Sequence, residues 1–336
     1  MKKTAIIIIN WNGWKDTIEC LESFAWPVTD AHFFILDNHS GDESIVRLRE
    51  YLEKRKLPHG VCAAGELGRV SGPGSAEEGA GQVTLVLNPA NHGFAGGNNI
   101  ILRHLLDTGG FRYAWLLNND TATDARSLPE MRAWLEEHPD LAFCGSVILD
   151  YYKQGTVQCC GVDHYKYLGV SKLYLKDRVW DEKTAAAVGL GDRGLRYQIG
   201  ASLLVDLEKL KKIGLMDETF FIYSEEADWQ FRAKSLGYGN GLAPKSIVVH
   251  KGSISTANRK HLFFYHYNRS AIILTRKNFG LLAAFTATIS LIGVTAIRSR
   301  LAPKPFWFGL KGLVRGWRTP MKKRTADDYK KWTEKD

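Results

Sequence analysis

The sequence predicts an α/β fold in which a mainly parallel sheet is flanked by helices. Two observations predict it. Apolar runs of strand length alternate with helix-like segments through the first half of the chain: Thr4 to Ile9, Lys15 to Phe24, His32 to Leu36 and Ser44 to Lys54. Each strand also stops at a polar loop, namely Asn10-Trp11-Asn12-Gly13, Asp37 to Asp42, Asn88 to Asn99 and Asn118 to Asp124. The carboxyl ends of strands line the ligand crevice in open parallel sheets, so these loops describe one site.

The later elements follow the same logic. Val83 to Leu87 reads as a strand and Asn98 to Leu106 as the helix after it. Tyr113 to Leu117 is a buried strand, because it has strand length and no charge before it meets Asn118-Asn119-Asp120. Leu128 to Glu137 is expected as a helix, Leu141 to Leu149 and Tyr197 to Val205 as strands, and Asp206 to Ile213 as a helix. A helix from Glu225 stops near Gly237, and Ser246 to Val249 is a short strand ending at His250. Between Pro58 and Gln82 the chain is rich in Gly, Ala and Ser around Gly72-Pro73-Gly74, which reads as a mobile surface insertion (58–82). Tyr151 to Gly194 reads as short antiparallel strands or loops, a place for acceptor recognition.

At 336 residues, 45% hydrophobic and 24% charged, the chain is globular rather than disordered. Met1-Lys2-Lys3 and the apolar run after it resemble the start of a signal peptide, but the run is short and lacks a small-residue cleavage site, so a first strand is expected. Five cysteines without a CxxC pair suit a reducing compartment, and Cys159-Cys160 reads as strand packing. Charge is unevenly placed: from Arg298 onward twelve Lys/Arg stand against four Asp/Glu, which is +8 of the chain's +9. A tail of this kind favours nucleic acid or an anionic membrane surface.

The segment before that tail decides between them. Phe279 to Ile297 (279–297) carries no charge and is flanked by Arg276, Lys277, Arg298 and Arg300. Its length is near the minimum of about 20 residues for a bilayer span, yet it is only modestly apolar. A helix lying in the membrane interface is the preferred reading, ahead of a span, with a helix packed on the catalytic domain as the third. Trp307, Trp317 and Trp332 among basic residues favour an interfacial anchor over nucleic-acid binding, and no RNA- or DNA-binding motif accompanies them. The chain is therefore divided into a catalytic domain, 1–260, and a helical basic region, 261–336.

Three groups distant in sequence fall at predicted strand or loop ends: Asp120, the cluster Glu225-Glu226-Ala227-Asp228, and His250. A hard cation such as Mg2+ or Mn2+ prefers oxygen ligands, with imidazole acceptable to Mn2+, so Asp120 and His250 are the candidate metal ligands. Acids at a helix start are favoured by the helix dipole alone. A catalytic reading gives Glu225 or Glu226 the proton of an acceptor hydroxyl. Asn91-His92-Gly93-Phe94-Ala95-Gly96-Gly97-Asn98-Asn99 is a glycine-rich loop entering a helix, whose amides could meet phosphate or sugar hydroxyls; it matches neither a P-loop nor a dinucleotide fingerprint. Asp37 and Asn38 could read a pyrimidine edge or simply make a turn.

Together these motifs resemble the family 2 inverting glycosyltransferases with a GT-A fold, in particular the rhamnosyltransferase-like branch. The segments that carry the resemblance are those around Asn10, Asp37, Gly93 and Asp120, followed in order by Gly200-Ala201-Ser202, Asp217-Glu218-Thr219-Phe220-Phe221, Glu225 to Arg232, and Val249-His250. Tyr265, Asn268, Arg269 and Lys277 resemble the family's helix leading to membrane-associated segments.

The resemblance implies a mixed, Rossmann-like sheet with a C-terminal membrane-associating extension, and a donor that is a nucleoside diphosphate sugar, either dTDP-rhamnose or a UDP-hexose. It implies that Asn10, Trp11, Asn12, Asp37 and Asn38 hold the base. Asn91, Gly93, Phe94, Gly96, Gly97 and Asn98 would lie on the phosphates and sugar, with Asn118 and Asn119 orienting the donor or the turn. Asp120 and His250 would hold the divalent cation, although Asn118 and Asn119 stand where the family usually has further acids. Glu226 would be the base, supported by Glu225 and Asp228, and the acceptor a glycan or lipid-linked hydroxyl in cell-surface polysaccharide synthesis. The expected location is cytoplasmic, on the inner face of the cytoplasmic membrane. A sugar nucleotidyltransferase is the rival enzyme class, and a non-catalytic membrane-bound sugar-nucleotide-binding protein the rival outside enzymes.

Overall fold

The structure is a computed structural model describing residues 3–69, 82–188, 195–252 and 260–321. Its main sheet begins with five parallel strands, in spatial order β3 (His59–Ala63), β4 (Gln82–Leu87), β2 (Ala31–Asp37), β1 (Thr4–Asn10) and β5 (Tyr113–Asn118). Beyond β5 stand β12 (Ser202–Asp206), β7 (Leu141–Asp150), β13 (Gly239–His250) and β6 (Thr121–Thr123), with β8 (Val157–Cys159) paired to β7. β12 and β6 run against their neighbours, so the sheet is mixed but mainly parallel. A second sheet holds β10 (Val170–Leu173), β9 (Val162–Tyr165) and β11 (Arg196–Tyr197).

Side chains alternate across a strand, and the apolar runs therefore supply both faces of the sheet. Ile6, Ile8, Phe33, Ile35, Trp115 and Leu117 pack on α1 (Trp14–Glu22), α2 (Ser44–Lys54) and α4 (Ser127–Glu137) through Leu21, Leu48, Leu52 and Met131. Ala5, Ile7, Phe34, Leu36, Ala114 and Leu116 face the other way, toward α3 (Gly93–Thr108) and α6 (Leu207–Ile213). The short α5 (Glu182–Ala187) lies between β10 and β11 of the second sheet in the chain, and α7 (Glu225–Ser235) contributes to both cores through Phe231 and Trp229. All five cysteines are buried and unpaired with one another, and burial pushes the Cys159 and Cys160 thiols up to about 12, consistent with packing.

Four elements differ from expectation. The expected insertion from Pro58 is an edge strand, β3, followed by a 3-10 turn (Ala64–Arg69) that buries Leu67; residues 70–81 of that stretch lie outside the described residues. The strand expected from Tyr197 to Val205 is two strands, because the Gln230 side chain pairs with the backbone N–H and carbonyl of Gln198 in place of a neighbouring strand. β13 begins at Gly239 rather than Ser246, with its pairing to β7 interrupted between Ala243 and Ile247. α3 begins at Gly93, so the glycine-rich segment is the first two turns of a helix rather than a loop.

The C-terminal region is helical. α8 (Lys260–Ser299) breaks at Gly280, whose φ of 84° is outside the helical range, and α9 (Pro303–Arg318) folds back on it. Gly309, Gly312 and Gly316 line the contact; a Cβ on Gly312 would collide with the Tyr265 carbonyl. The buried Asn268 amide donates to Thr295 Oγ1 (2.9 Å) and the Gly309 carbonyl (3.1 Å), tying both halves of α8 to α9. Trp317 is partly buried between the helices: its indole N–H donates to Thr288 Oγ1, and Arg276 caps the carbonyls of Gly316 and Trp317. Trp332 lies outside the described residues.

Gly312→Val should lower unfolding free energy by about 1–3 kcal/mol through overpacking. Gly293 has open space at its Cβ position, so Gly293→Ala should stabilise by about 0.5–1 kcal/mol. Urea denaturation of the two variants checks both signs.

Candidate active site

The polar ends of β1, β2 and β5 meet along one edge of the sheet. Asp37 accepts from Asn10 Nδ2 (2.8 Å), the Ser40 hydroxyl (2.6 Å) and the Ser40 N–H (2.9 Å). Ser40 Oγ also accepts the Asn12 N–H, and Asn12 Oδ1 accepts the Gly41 N–H, so the two loops are stitched together. Trp11 stands 42% exposed beside this network, the large apolar surface available there to a ligand. Asn10 Oδ1 accepts from Thr17 Oγ1, which in turn accepts from Asn119 Nδ2. Asn119 therefore fixes the turn after β5 to the start of α1, and a Cβ at Gly13 would stand 2.8 Å from its amide nitrogen.

Asn38 joins this edge to α3. Its amide donates to Asn91 Oδ1 and the Gly93 carbonyl and accepts from Asn88 Nδ2 and the His92 N–H, which uses its full hydrogen-bonding capacity inside the protein. Gly93 has φ 69° and lies against the Phe221 carbonyl, where a side chain would clash. Gly97 lets α3 approach Ile9 and Leu36, and Asn98 donates back to the Phe94 carbonyl within the helix. Gly96 faces the His92 side chain, and a Cβ there would meet His92 Cβ at 2.7 Å. Phe94 donates its N–H to the Phe221 carbonyl, and its ring leaves no room for a Cβ at Gly200.

Asp120 and His250 are brought together by the ladder itself. His250 is the register partner of Thr121 across the β13–β6 pair, and the Lys251 N–H donates to the Asp120 carbonyl. Asp120 Oδ1 stands 3.1 Å from His250 Nε2, with Asn118 Nδ2 3.4 Å from the same nitrogen. Gln158 determines the ring's tautomer. Its Nε2 donates to the His250 carbonyl (3.1 Å), so its Oε1, 2.6 Å from Nδ1, must accept a proton from Nδ1. Nε2 is then the ring nitrogen turned toward Asp120 Oδ1 and the Asn118 amide. One carboxylate and one imidazole fit Mn2+ or Mg2+ as a partial shell. Among the described residues no third His, Cys, Asp or Glu joins them, which leaves the other positions to ligand oxygens and water.

The acid cluster begins α7. Tyr223 and Ser224 both have φ 68°, a left-handed pair of non-glycine residues that costs about 1–3 kcal/mol each and must be held by its surroundings. α8 holds it: Arg269 donates to the Thr219 carbonyl and Ser270 to the Ile222 carbonyl. Asp228 is fully buried, with Lys277 Nζ at 2.8 Å, Asn278 Nδ2 at 3.0 Å and Arg232 at 3.7 Å, so it braces α7 against α8. Lys277 also binds Asp217; burial alone would raise that carboxyl, but Lys277 overrides it and holds it at about 2.

Among the described residues, Glu225 and Glu226 have no such cation. Burial, then repulsion from Glu226, pushes Glu225 well above the usual carboxylate range. Burial raises Glu226 to about 6, against the N–H groups of Glu226 itself and Gly200, which favour its ionised form. Oε2 of each is buried without a hydrogen-bond partner, and Glu226 lines a cavity with His164, Tyr197, Tyr223 and Tyr267. Gly200 thus touches both the donor-side Phe94 and the Glu226 carboxyl. Sequence reasoning gave no role to Gln158, Ser40 and Thr17: besides near neighbours, Ser40 binds the Asn12 N–H 28 residues away and Thr17 the Asn119 amide 102 away, and Gln158 holds His250 from 92 away.

This sheet order, with a crevice at the carboxyl ends of β1, β2 and β5 and an acid-bearing helix beside it, is the GT-A fold of glycosyltransferases. Among solved structures, the mannosyltransferase PcManGT from Pyrobaculum calidifontis in complex with GDP-Man and Mn2+ aligns over 94% of this chain and 86% of its own, at 13% identity and TM-score 0.53. S. aureus TarS 1–349 aligns over 94% and 80%, at 11% identity and TM-score 0.52. GalNAc-T7 with UDP, GalNAc and Mn2+ aligns over 92% of this chain and 56% of its own, at 12% identity and TM-score 0.50. At these identities the likeness is one of fold. No protein-family model and no curated protein matches the chain by sequence.

Gln158→Leu should leave Asp120 and His250 in place but free the imidazole to turn, weakening Mn2+ binding about 10–100-fold. Isothermal titration with MnCl2 and a nucleoside diphosphate reads this directly; an unchanged affinity refutes the orienting role.

Proposed function

We propose that the chain is an inverting, metal-dependent glycosyltransferase. It would move a sugar from a nucleoside diphosphate sugar, dTDP-rhamnose or a UDP-hexose, to a hydroxyl of a glycan or lipid-linked acceptor in cell-surface polysaccharide synthesis. One observation carries this reading: within a GT-A fold, Glu226 lines a cavity and has a carboxylate oxygen unpaired among the described residues, while Gly200 links it to the Phe94 edge of α3. The Mn2+ and nucleotide named with the solved neighbours support the class of donor.

In the proposed reaction Glu226 removes the acceptor hydroxyl's proton as the oxygen attacks the anomeric carbon, and the nucleoside diphosphate leaves from the opposite side. Inversion follows from that single displacement. A divalent cation held by Asp120 and His250 would supply positive charge beside the diphosphate. Asn10, Asn12 and Asp37 shape the base-binding edge with Trp11 beside it, Asn38 and Asn91 hold the start of α3, and Asn118 and Asn119 hold the turn carrying Asp120. Glu225, whose ionised form is disfavoured by burial and by Glu226, stands beside the base, while Asp228 fixes the helix that carries both.

We infer that the C-terminal helices attach this enzyme to an anionic membrane surface, on the inner face of the cytoplasmic membrane. Among the described residues one helix, Lys260–Ser299, is long and apolar enough to cross a membrane. It is bent at Gly280, and Ala283, Ala284, Ala287 and Leu291 are buried against the protein. Leu281, Leu282, Phe285, Ile289 and Ile297 cover the opposite face and are exposed, as is Trp307. Arg298, Arg300, Lys304, Lys311 and Arg315 are exposed near that face, a pattern suited to lying in the headgroup layer.

Glu226→Gln should slow transfer about 10²–10⁴-fold with donor affinity retained. The wild-type rate should fall as pH drops below about 6, where Glu226 takes up a proton, and level off above it. A full-rate Glu226→Gln variant, with the loss appearing in Glu225→Gln instead, would move the base to Glu225. Wild-type protein should sediment with phosphatidylglycerol vesicles and not with phosphatidylcholine vesicles. Replacing Leu282, Phe285 and Ile289 together by Glu should abolish that sedimentation, and persistence of binding would refute the docking face.

A further inference from the structure

The hairpin of β9 and β10 has no role in the donor side of the site, yet it closes one wall of the Glu226 cavity. His164 and Ser171 are register partners in that hairpin, and both line the cavity. His164 Nδ1 is 3.0 Å from Ser171 Oγ, and the ring stacks on Phe279 with centroids 5.6 Å apart and planes 18° apart. The ring is therefore fixed in place. The Ser171 N–H donates to the Tyr267 hydroxyl (3.3 Å), which brings α8 into the same wall, and Tyr197 and Tyr223 add aromatic surface.

Two of the residues lining this space carry a buried polar atom with no hydrogen-bond partner among the described residues: Glu226 at Oε2 and His164, only 7% exposed, at Nε2. A buried polar atom without a hydrogen bond costs on the order of 1–3 kcal/mol, and two beside one cavity call for a ligand that supplies hydroxyls. The tyrosine rings suit the apolar C–H face of a sugar, and the two unpaired atoms suit its hydroxyl edge. Burial holds the His164 imidazole neutral near neutral pH, at about 4, so Nε2 pairs with a hydroxyl rather than an acid.

The geometry points to this cavity as the acceptor subsite, in which one hydroxyl of an acceptor pyranose is received by Glu226 Oε2 and a second hydroxyl of the same sugar by His164 Nε2. This rests on Glu226 as the base and adds His164 as the residue that selects the acceptor. The hairpin has a further consequence. Its turn reaches the outer half of α8, where a Cβ at Gly169 would stand 2.9 Å from Ala287 Cβ, so the acceptor wall and the proposed membrane-facing helix are one packed unit.

The test uses the full-length protein with Mn2+ and UDP-, GDP- and dTDP-sugars, following release of nucleoside diphosphate with and without methyl pyranosides of rhamnose, glucose, galactose, mannose and N-acetylglucosamine. At least one glycoside should accelerate release. His164→Phe keeps the stacked ring and removes the nitrogen; it should raise that glycoside's KM about tenfold or more while donor Kd, read by tryptophan fluorescence, stays unchanged. His164→Gln, which can still pair with a hydroxyl, should recover part of the loss. An unchanged KM in His164→Phe means that a structural water fills the space and overturns the subsite. Glycosides that bind nowhere, while donor is hydrolysed, overturn it too. Absence of donor turnover with every nucleotide sugar overturns the glycosyltransferase reading itself.

Discussion

The site depends on one buried ammonium. Lys277 reaches from α8 to Asp228 inside α7 and to Asp217 in the segment before it, and lies 5.6 Å from the centroid of the Phe220 ring. Removing that charge would take one partner from a fully buried carboxylate, a change that costs about 3–5 kcal/mol for a buried pair. The pairing has a geometric result as well as an energetic one. It fixes the start of α7 against a helix from the far end of the chain, and the left-handed pair Tyr223 and Ser224 can then be maintained ahead of Glu225 and Glu226.

The two halves of the site are built by different physics. On the donor side, amides and short hydroxyls satisfy one another at the ends of parallel strands, with Trp11 exposed beside them. On the acid side, Glu225 and Glu226 are buried with no cation beside them among the described residues, which disfavours their ionised forms, while the neighbouring Asp228 is paired with Lys277. That contrast separates a bracing carboxylate from a reactive one, although all three lie within one helical turn. α8 links both the acid side and the outer apolar face, so attachment to a surface and the setting of the acids are properties of one helix.

Much of the fold was legible because burial on both faces of a parallel sheet demands uninterrupted apolar runs, as in Thr4 to Ile9 and Tyr113 to Leu117. Elements with weaker burial were not. β3 is a short edge strand containing Gly60, and its pairing with β4 carries no local signature. The start of α3 reads as a loop because Gly93, Gly96 and Gly97 have poor helix propensity; close packing on Phe221, Ile9 and Leu36 outweighs it. Trp317 illustrates the same limit, since composition alone cannot distinguish an indole that packs between helices from one that meets solvent.

The sequence by itself determined the alternating architecture and the chemical types at each strand end, because periodicity and residue chemistry are local properties. It also placed Asp120 and His250 at the ends of their elements. Only the tertiary structure decided that they face each other at 3.1 Å with Gln158 fixing the imidazole, and that Glu226 rather than Asp228 retains an unpaired oxygen. Those facts depend on strand register and on a helix some fifty residues further along the chain, and partners at such separations leave no trace in local pattern.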